Sequence, residues 1–224
     1  MRIAVLLRGI HYEEEHKTAS SFTRRHDDRL YTVDYERRFK GTFDKHFLKA
    51  NKFKKVDFFI CSYDSVKARN LIKHYKPVKS HIYNSTKDSN QINTFVHGLK
   101  MIQEHCSKTK TKYNWIFCTR MDLKFAGNIF PLMKNNKSKA KVTVTKHLGY
   151  TNDNFCDFAH LIDPIILGRY IKHMSGEDGL RLMQCITDPI YNYYKFTKRN
   201  NNWMTIDREF VCSQYVNSKA MPKK

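Results

Sequence analysis

Arg120 and Asp122 stand two residues apart in the stretch Asn-Trp-Ile-Phe-Cys-Thr-Arg-Met-Asp-Leu-Lys-Phe, residues 114 to 125. A guanidinium is a planar fork suited to phosphate, and a carboxylate is a hard oxygen ligand suited to Mg²⁺ or Mn²⁺. Together they would serve an anionic, metal-bound ligand. The same spacing suits an Arg–Asp ion pair that closes the end of a strand, and the residues alone leave both readings open. The apolar run before them sets their place. Trp115, Ile116, Phe117 and Cys118 read as a strand buried on both faces. Ligands of open α/β sheets bind beyond the carboxyl ends of the strands, which is where Arg120 and Asp122 fall.

Other strand ends carry residues of the same kind. Arg2 to Leu7 reads as a first core strand ending in Arg8 and Gly9, and a glycine there lets the backbone come close to a ligand. Val56 to Cys61 reads as a second buried strand, followed by Ser62, Tyr63, Asp64 and Ser65. Tyr63 suits either stacking on a base or filling the core, and Asp64 or Ser65 suits a helix cap. His81 to Tyr83 is a short third strand. Val142 to Val144 and Phe158 to Ile162 are later ones.

Helices fill the intervals. Tyr35, Phe39, Phe43 and Phe47 recur every four residues. Val66, Leu71 and Ile72 mark a helix that stops before Pro77. Ile92, Phe95, Val96, Leu99 and Ile102 form an apolar helical stripe, whose amino end near Ser89 and Asn90 could face phosphate. Asp163 caps a helix with Pro164 at its first position, and Ile165, Ile166, Tyr170 and Ile171 form its buried face. Residues 11–34 read as a charged loop or flap, with Arg24 and Arg25 either a diphosphate clamp or a solvated face. Residues 125–136 read as turns and 205–216 as a packing helix or strand. Tyr191, Tyr193 and Tyr194 interleave with cations, as on sugar- or base-binding surfaces and on wet sheet edges. The tail from about residue 217 reads as frayed. Alternating strands and helices make the class α/β, a mixed, mostly parallel sheet flanked by helices.

The chain has 224 residues, 41% of them hydrophobic, which suits one folded domain over residues 1–224. No run reaches the ~18 apolar residues that span a bilayer. The apolar part of the start is too short for a signal peptide, so a cytoplasmic location is expected. Six cysteines without a C-x-x-C pair argue against structural zinc, and Cys61 and Cys118 read as buried thiols. A net charge of +20 favours anionic partners: nucleotide diphosphates, acidic glycans, nucleic acid or anionic lipid. Phosphate-loop, dinucleotide-binding, nucleophile-elbow and H-E-x-x-H motifs are all absent. His147 and His160 are the histidines that suit a metal or substrate ligand.

Thr-Arg-Met-Asp-Leu-Lys-Phe at a strand end resembles the R-x-D-L-x-F variant of the Asp-x-Asp motif in nucleotide-sugar glycosyltransferases of the GT-A fold. It is most similar to the small enzymes of bacterial polysaccharide clusters and large algal DNA viruses. Arg2 to Gly9, Val56 to Tyr63 and Tyr75 to Pro77 fall in the same order, so the resemblance spans about two-thirds of the chain. Arg120 stands where the usual motif has its first Asp. The resemblance implies a GT-A-like (Rossmann-like) fold and transfer of a sugar from a nucleoside diphosphate, UDP above all, to a glycan, glycoprotein or other hydroxyl acceptor. It also implies host cytoplasm as the location if the chain is viral. Leu7, Arg8, Gly9, Tyr63 and Arg120 would line the nucleotide pocket, and Asp122 would hold Mn²⁺ or Mg²⁺. Inverting transfer needs a carboxylate to take the acceptor's proton. Asp157 in the polar loop before Phe158 is the candidate, with Asp153 in reserve. The competing class is a basic nucleic-acid-binding module without catalysis, disfavoured by the alternating elements and polar strand ends.

Overall fold

The computed structural model describes residues 1–16, 31–85, 91–125, 127–134, 142–146, 155–175, 203–207 and 211–213. Strand β1 (Arg2–Arg8) lies inside a seven-stranded sheet and is buried from Ile3 onward. Its side chains alternate between two cores. Ile3, Val5 and Leu7 enter one, and Ala4 and Leu6 enter the other. Burial on both faces is why its sequence is apolar without alternation.

Three parallel pairings build outward from β1. It pairs with β4 (Lys55–Tyr63) on one side and β6 (Trp115–Arg120) on the other, and β4 pairs with β5 (Lys79–Tyr83). Beyond β6 the sheet turns antiparallel through β9 (Phe155–Ile162) to β8 (Val142–Lys146), and β10 (Trp203–Asp207) adds parallel to β8. The order is β10-β8-β9-β6-β1-β4-β5. The expected mixed, mostly parallel sheet is therefore what the chain forms.

The helices decide where this sheet opens. The helical segment 36–49 leads from β1 toward β4, and α2 (Ala68–Tyr75) links β4 to β5. Both contribute to the core under Ile3, Val5 and Leu7. The long helix α3 (Gln91–Thr109) returns across the opposite face to β6 and packs with α5 (Leu167–Met174). The connections therefore change face between β1 and β6. Parallel sheets leave a crevice at the carboxyl ends of two strands at such a switch.

Segment 36–49 is one α-helical turn, α1 (Gly41–Phe43), between two π-helical runs, Glu36–Lys40 and Asp44–Lys49. Lys40 N donates to Tyr35 O at 2.8 Å, five residues back. A spacing of four overshoots the 3.6-residue turn of an α-helix, so a pure α-helix would rotate successive phenylalanines out of line. The widened turns hold them in a row. Phe39 stacks on Phe43 at 4.7 Å and Phe43 on Phe47 at 4.9 Å. Phe47 then stacks on Phe117 of β6 at 4.1 Å.

On the other face α3 comes close enough to β1 to need a glycine. A Cβ on Gly98 would lie 2.4 Å from a methyl carbon of Leu6, which is wholly buried. The amino end of the sheet is closed by Asp57. It accepts from Arg2 Nη2 at 2.7 Å and Tyr113 OH at 2.9 Å.

Several sequence expectations are corrected. Part of 11–34 is a hairpin, β2 (Tyr12–His16) against β3 (Tyr31–Asp34), not a loop throughout. Residues 125–136 contain the end of β7 (Leu123–Phe125) and the helix α4 (Phe130–Lys134), and β7 pairs with β11 (Val211–Ser213). Of the two readings for 205–216, strand is what forms among the described residues, in β10 (Trp203–Asp207) and β11. Val66 lies outside α2 and is 82% exposed, and Ile165 is 74% exposed instead of facing the core. Pro164 and Asp163 do open a short helical turn, with Ile165 N donating to Asp163 Oδ1 at 3.0 Å.

Candidate active site

Arg8 and Arg120 are the last residues of β1 and β6, and they are direct partners in the parallel register. They sit at the point where the connections change face. Both are buried, and they project to the α3 side with Cys61 and Cys118 below them. The Arg8 guanidinium lies 4.7 Å over the ring of Phe95 on α3, a cation–π contact that fixes its height above the sheet. Burial pushes the Cys61 thiol up to about 12 and the Cys118 thiol upward too, despite the nearby charge of Arg8. Both thiols are therefore core groups.

Arg120 forks onto Asp122. Nε donates to Oδ1 at 2.9 Å and Nη2 donates to Oδ2. Both side chains are about 95% buried. The ion pair that the spacing allowed is thus formed, and it holds a guanidinium and a carboxylate together at the strand end. Asp122 offers about four lone-pair sites, of which the fork takes two.

His160 lies on the same side, directly across from Cys118 on β9. Its Nδ1 is 2.7 Å from Tyr170 OH on α5, and its ring is 4.8 Å from Phe95. Phe95 thereby meets both Arg8 and His160.

The opposite side of the same edge holds a hydrogen-bonded histidine. Gly9 adopts φ +82°, and its N donates to Cys61 O at 3.1 Å. Ser62 Oγ donates to Gly9 O at 2.7 Å. His11, 1% exposed, places Nδ1 2.7 Å from Ser62 Oγ and Nε2 2.8 Å from Ser65 Oγ. Burial lowers its pKa to about 4, against the pull of Asp64 and Asp34. So weak a base does not activate Ser65 as a nucleophile at neutral pH. Nearby, Lys67 Nζ bridges Asp34 at 2.7 Å and Glu36 at 2.9 Å, and lies 5.0 Å over the ring of Tyr12. Hairpin, strand end and α2 are tied together at this corner.

Arg8, Gly9 and Tyr63 all lie at the carboxyl edge beside Arg120 and Asp122. Leu7 reaches that edge only through its main chain, because its side chain is in the core. Tyr63 is 6% exposed, its ring 6.0 Å from Tyr83. Asp157 is within β9 and not in a loop before it. Pairing of β6 with β9 ends at Thr119–Ala159, so the Asp157 backbone continues past the carboxyl end of β6. On its other edge, residues 157 to 159 fall between the pairs Thr145–Cys156 and Val144–His160. That is a bulge, a feature common beside active sites. Asp153, His147, Arg24, Arg25, Ser89, Asn90 and the Tyr191–Tyr194 cluster lie outside the described residues. The sequence reading missed the His11 network. The available signal was a histidine two residues past Gly9 and two serines three apart at the next strand end, contacts that span 51 and 54 residues.

No protein-family model matches the chain, and no curated protein matches it. Solved structures do. A crystal structure of a glycosyltransferase involved in glycosylation of the major capsid of PBCV-1 aligns over 92% of this chain and 82% of that one, at 8% identity and TM-score 0.47. The nucleoside-diphosphate-sugar pyrophosphorylase of Vibrio cholerae RC9 aligns over 93% and 94%, at 11% identity and TM-score 0.50. Identity that low speaks to architecture alone, and the sheet order with its switch point between β1 and β6 agrees: the chain has an α/β, Rossmann-like fold of the GT-A kind.

Proposed function

We propose that the chain is a nucleotide-sugar-dependent glycosyltransferase, moving a sugar from a UDP-linked donor to a hydroxyl of a glycan or glycoprotein acceptor. The observation that carries this reading is the pairing of Arg8 with Arg120 at the switch point. Two guanidiniums on adjacent strands suit a diphosphate, and they would offset the charge it gathers on leaving. Gly9 lets the main chain approach the nucleoside, and Tyr63 flanks it at the end of β4. Asp157, at the same edge, takes the proton of the acceptor hydroxyl as that oxygen bonds to the sugar with inversion.

Mg²⁺ or Mn²⁺ fits this site if phosphate supplies most of the shell. Among the described residues no group of three or more His, Cys, Asp or Glu gathers to hold a metal. Asp122 would use the lone pairs that the Arg120 fork leaves, with diphosphate and water completing the coordination. Bound there, the ion supplies Lewis-acid stabilisation of the departing diphosphate.

Thermal unfolding with UDP tests the reading. A hundredfold excess over Kd should stabilise the fold by roughly 2.7 kcal/mol. If millimolar UDP leaves Tm unchanged while single-stranded oligonucleotides raise it, the chain is a nucleic-acid-binding module.

A further inference from the structure

The hydrogens around His11 can be assigned by elimination. Ser62 has one hydroxyl proton, and it is spent on Gly9 O. The Ser62 oxygen must then accept at the His11 contact, so Nδ1 carries the ring proton. In the neutral ring Nε2 is then an acceptor and takes the Ser65 hydroxyl, whose oxygen accepts from Lys67 N at 3.2 Å. The chain of donors runs one way: Ser65 to His11, His11 to Ser62, Ser62 to Gly9.

Both polar atoms of Gly9 are therefore turned inward, its N to Cys61 O and its O to Ser62 Oγ. A trans peptide sets its C=O and following N–H antiparallel, so the Ile10 N–H is aimed away from Ser62. A Cβ built on Gly9 would meet no atom within 4 Å among the described residues. Among the described residues the space beside Gly9 is open, while the peptide that borders it is held from behind by two hydrogen bonds.

We propose that His11 is a positioning residue for nucleotide binding: through Ser62 it fixes the Gly9–Ile10 peptide in the orientation that receives the nucleoside of a nucleoside diphosphate. This rests on the nucleotide-sugar reading above and adds to it a division of labour. Arg8 and Arg120 hold phosphate, and His11, from the opposite face of the edge, sets the main-chain peptide that meets the nucleoside. Burial, which lowers the pKa of His11 to about 4, keeps the ring neutral and the relay intact at neutral pH.

The two sides separate experimentally. UDP and inorganic pyrophosphate are titrated calorimetrically into the parent protein and into His11→Ala, Ser62→Ala and His11→Asn, each first shown folded by circular dichroism. Asn carries an amide donor close to the Nδ1 position. His11→Ala and Ser62→Ala should weaken UDP tenfold or more and leave pyrophosphate within about threefold. His11→Asn should recover most of the UDP affinity. The His11 ring nitrogens should also show the Nδ1-protonated tautomer by NMR. Parent-like UDP binding in both alanine variants overturns the proposal while leaving the nucleotide reading standing. Equal loss of UDP and pyrophosphate overturns it as well, because the histidine would then support the whole edge. A parent protein that binds neither probe overturns the nucleotide reading, and this inference with it.

Discussion

Asp157 occupies a bulge on β9 that carries the strand past the end of β6, and its proposed work is confined to the transition state. A base that acts on the acceptor does not hold the donor's phosphates. Asp157→Asn should therefore lower turnover by ~10² or more with UDP affinity nearly unchanged, which steady-state rates and calorimetry on one preparation will show. Parent turnover would remove Asp157 from the mechanism. Asp122 makes a different prediction because it already has a partner. Asp122→Asn keeps one acceptor for Arg120 but removes the charge that a divalent ion needs. UDP affinity in Mn²⁺ should fall to the value seen in chelator, and affinity in chelator should stay near the parent's. If Mn²⁺ strengthens binding equally in both proteins, Asp122 is only the closing half of an ion pair.

The close approach of α3 to β1 depends on Gly98. Alanine there would gain helix propensity, worth about 1 kcal/mol. It would also press on Leu6, which has nowhere to move. Overpacking of a filled core costs about 1–3 kcal/mol, so Gly98→Ala should be net destabilising in urea unfolding. Adding Leu6→Ala should cost far less in that background than in the parent, the signature of two residues sharing one space. How readily each element shows in the sequence follows from what holds it. Strands β1, β4 and β6 were legible because burial on both faces leaves a run of apolar residues, interrupted only by Asp57 in β4. Hairpin strand β2 was not, because Tyr-Glu-Glu-Glu-His has no strand pattern. It is held by its pairing with β3, while Lys67 ties Asp34, at the end of β3, to α2. The four-residue aromatic spacing announced a helix but not its π-helical turns, since a row of rings does not say which carbonyl each N–H will reach. Arg120 and Asp122 were legible as a strand-end pair, but their spacing was the same for an ion pair and a metal site. His11 was signalled only by its place past Gly9 and two serines three apart, because its partners come from the end of another strand and the turn after it.

Across the whole molecule, the buried charges and imidazoles set a dependence on acid. The His11 pKa of about 4 lies below the ordinary ~6.5, so the unfolded chain takes up that proton first. Stability should be complete above about pH 6.5 and fall as pH drops toward 4, by up to roughly 3 kcal/mol. Asp57 adds a second loss at lower pH. Burial raises its pKa, but the hydrogen bonds from Arg2 and Tyr113 outweigh burial and hold it below the usual carboxylate value. Its contribution is present above about pH 3.9 and disappears as pH falls through the lower folded value. Urea midpoints against pH should show both arms, with His11→Gln flattening the upper and Asp57→Asn the lower. The stacked phenylalanines also bear on the order of events in folding. A π-helical run has little stability alone, and the rings that receive it, Phe117 and Phe125, come late in the chain. A refolding molecule can lay segment 36–49 against β1 and α2, but it lacks the rings of Phe117 and Phe125 that complete the stack until β6 and β7 have formed. The segment should therefore set after the folding barrier has been crossed and loosen before it on the way out. Phe43→Ala should speed unfolding severalfold and leave the refolding rate nearly untouched.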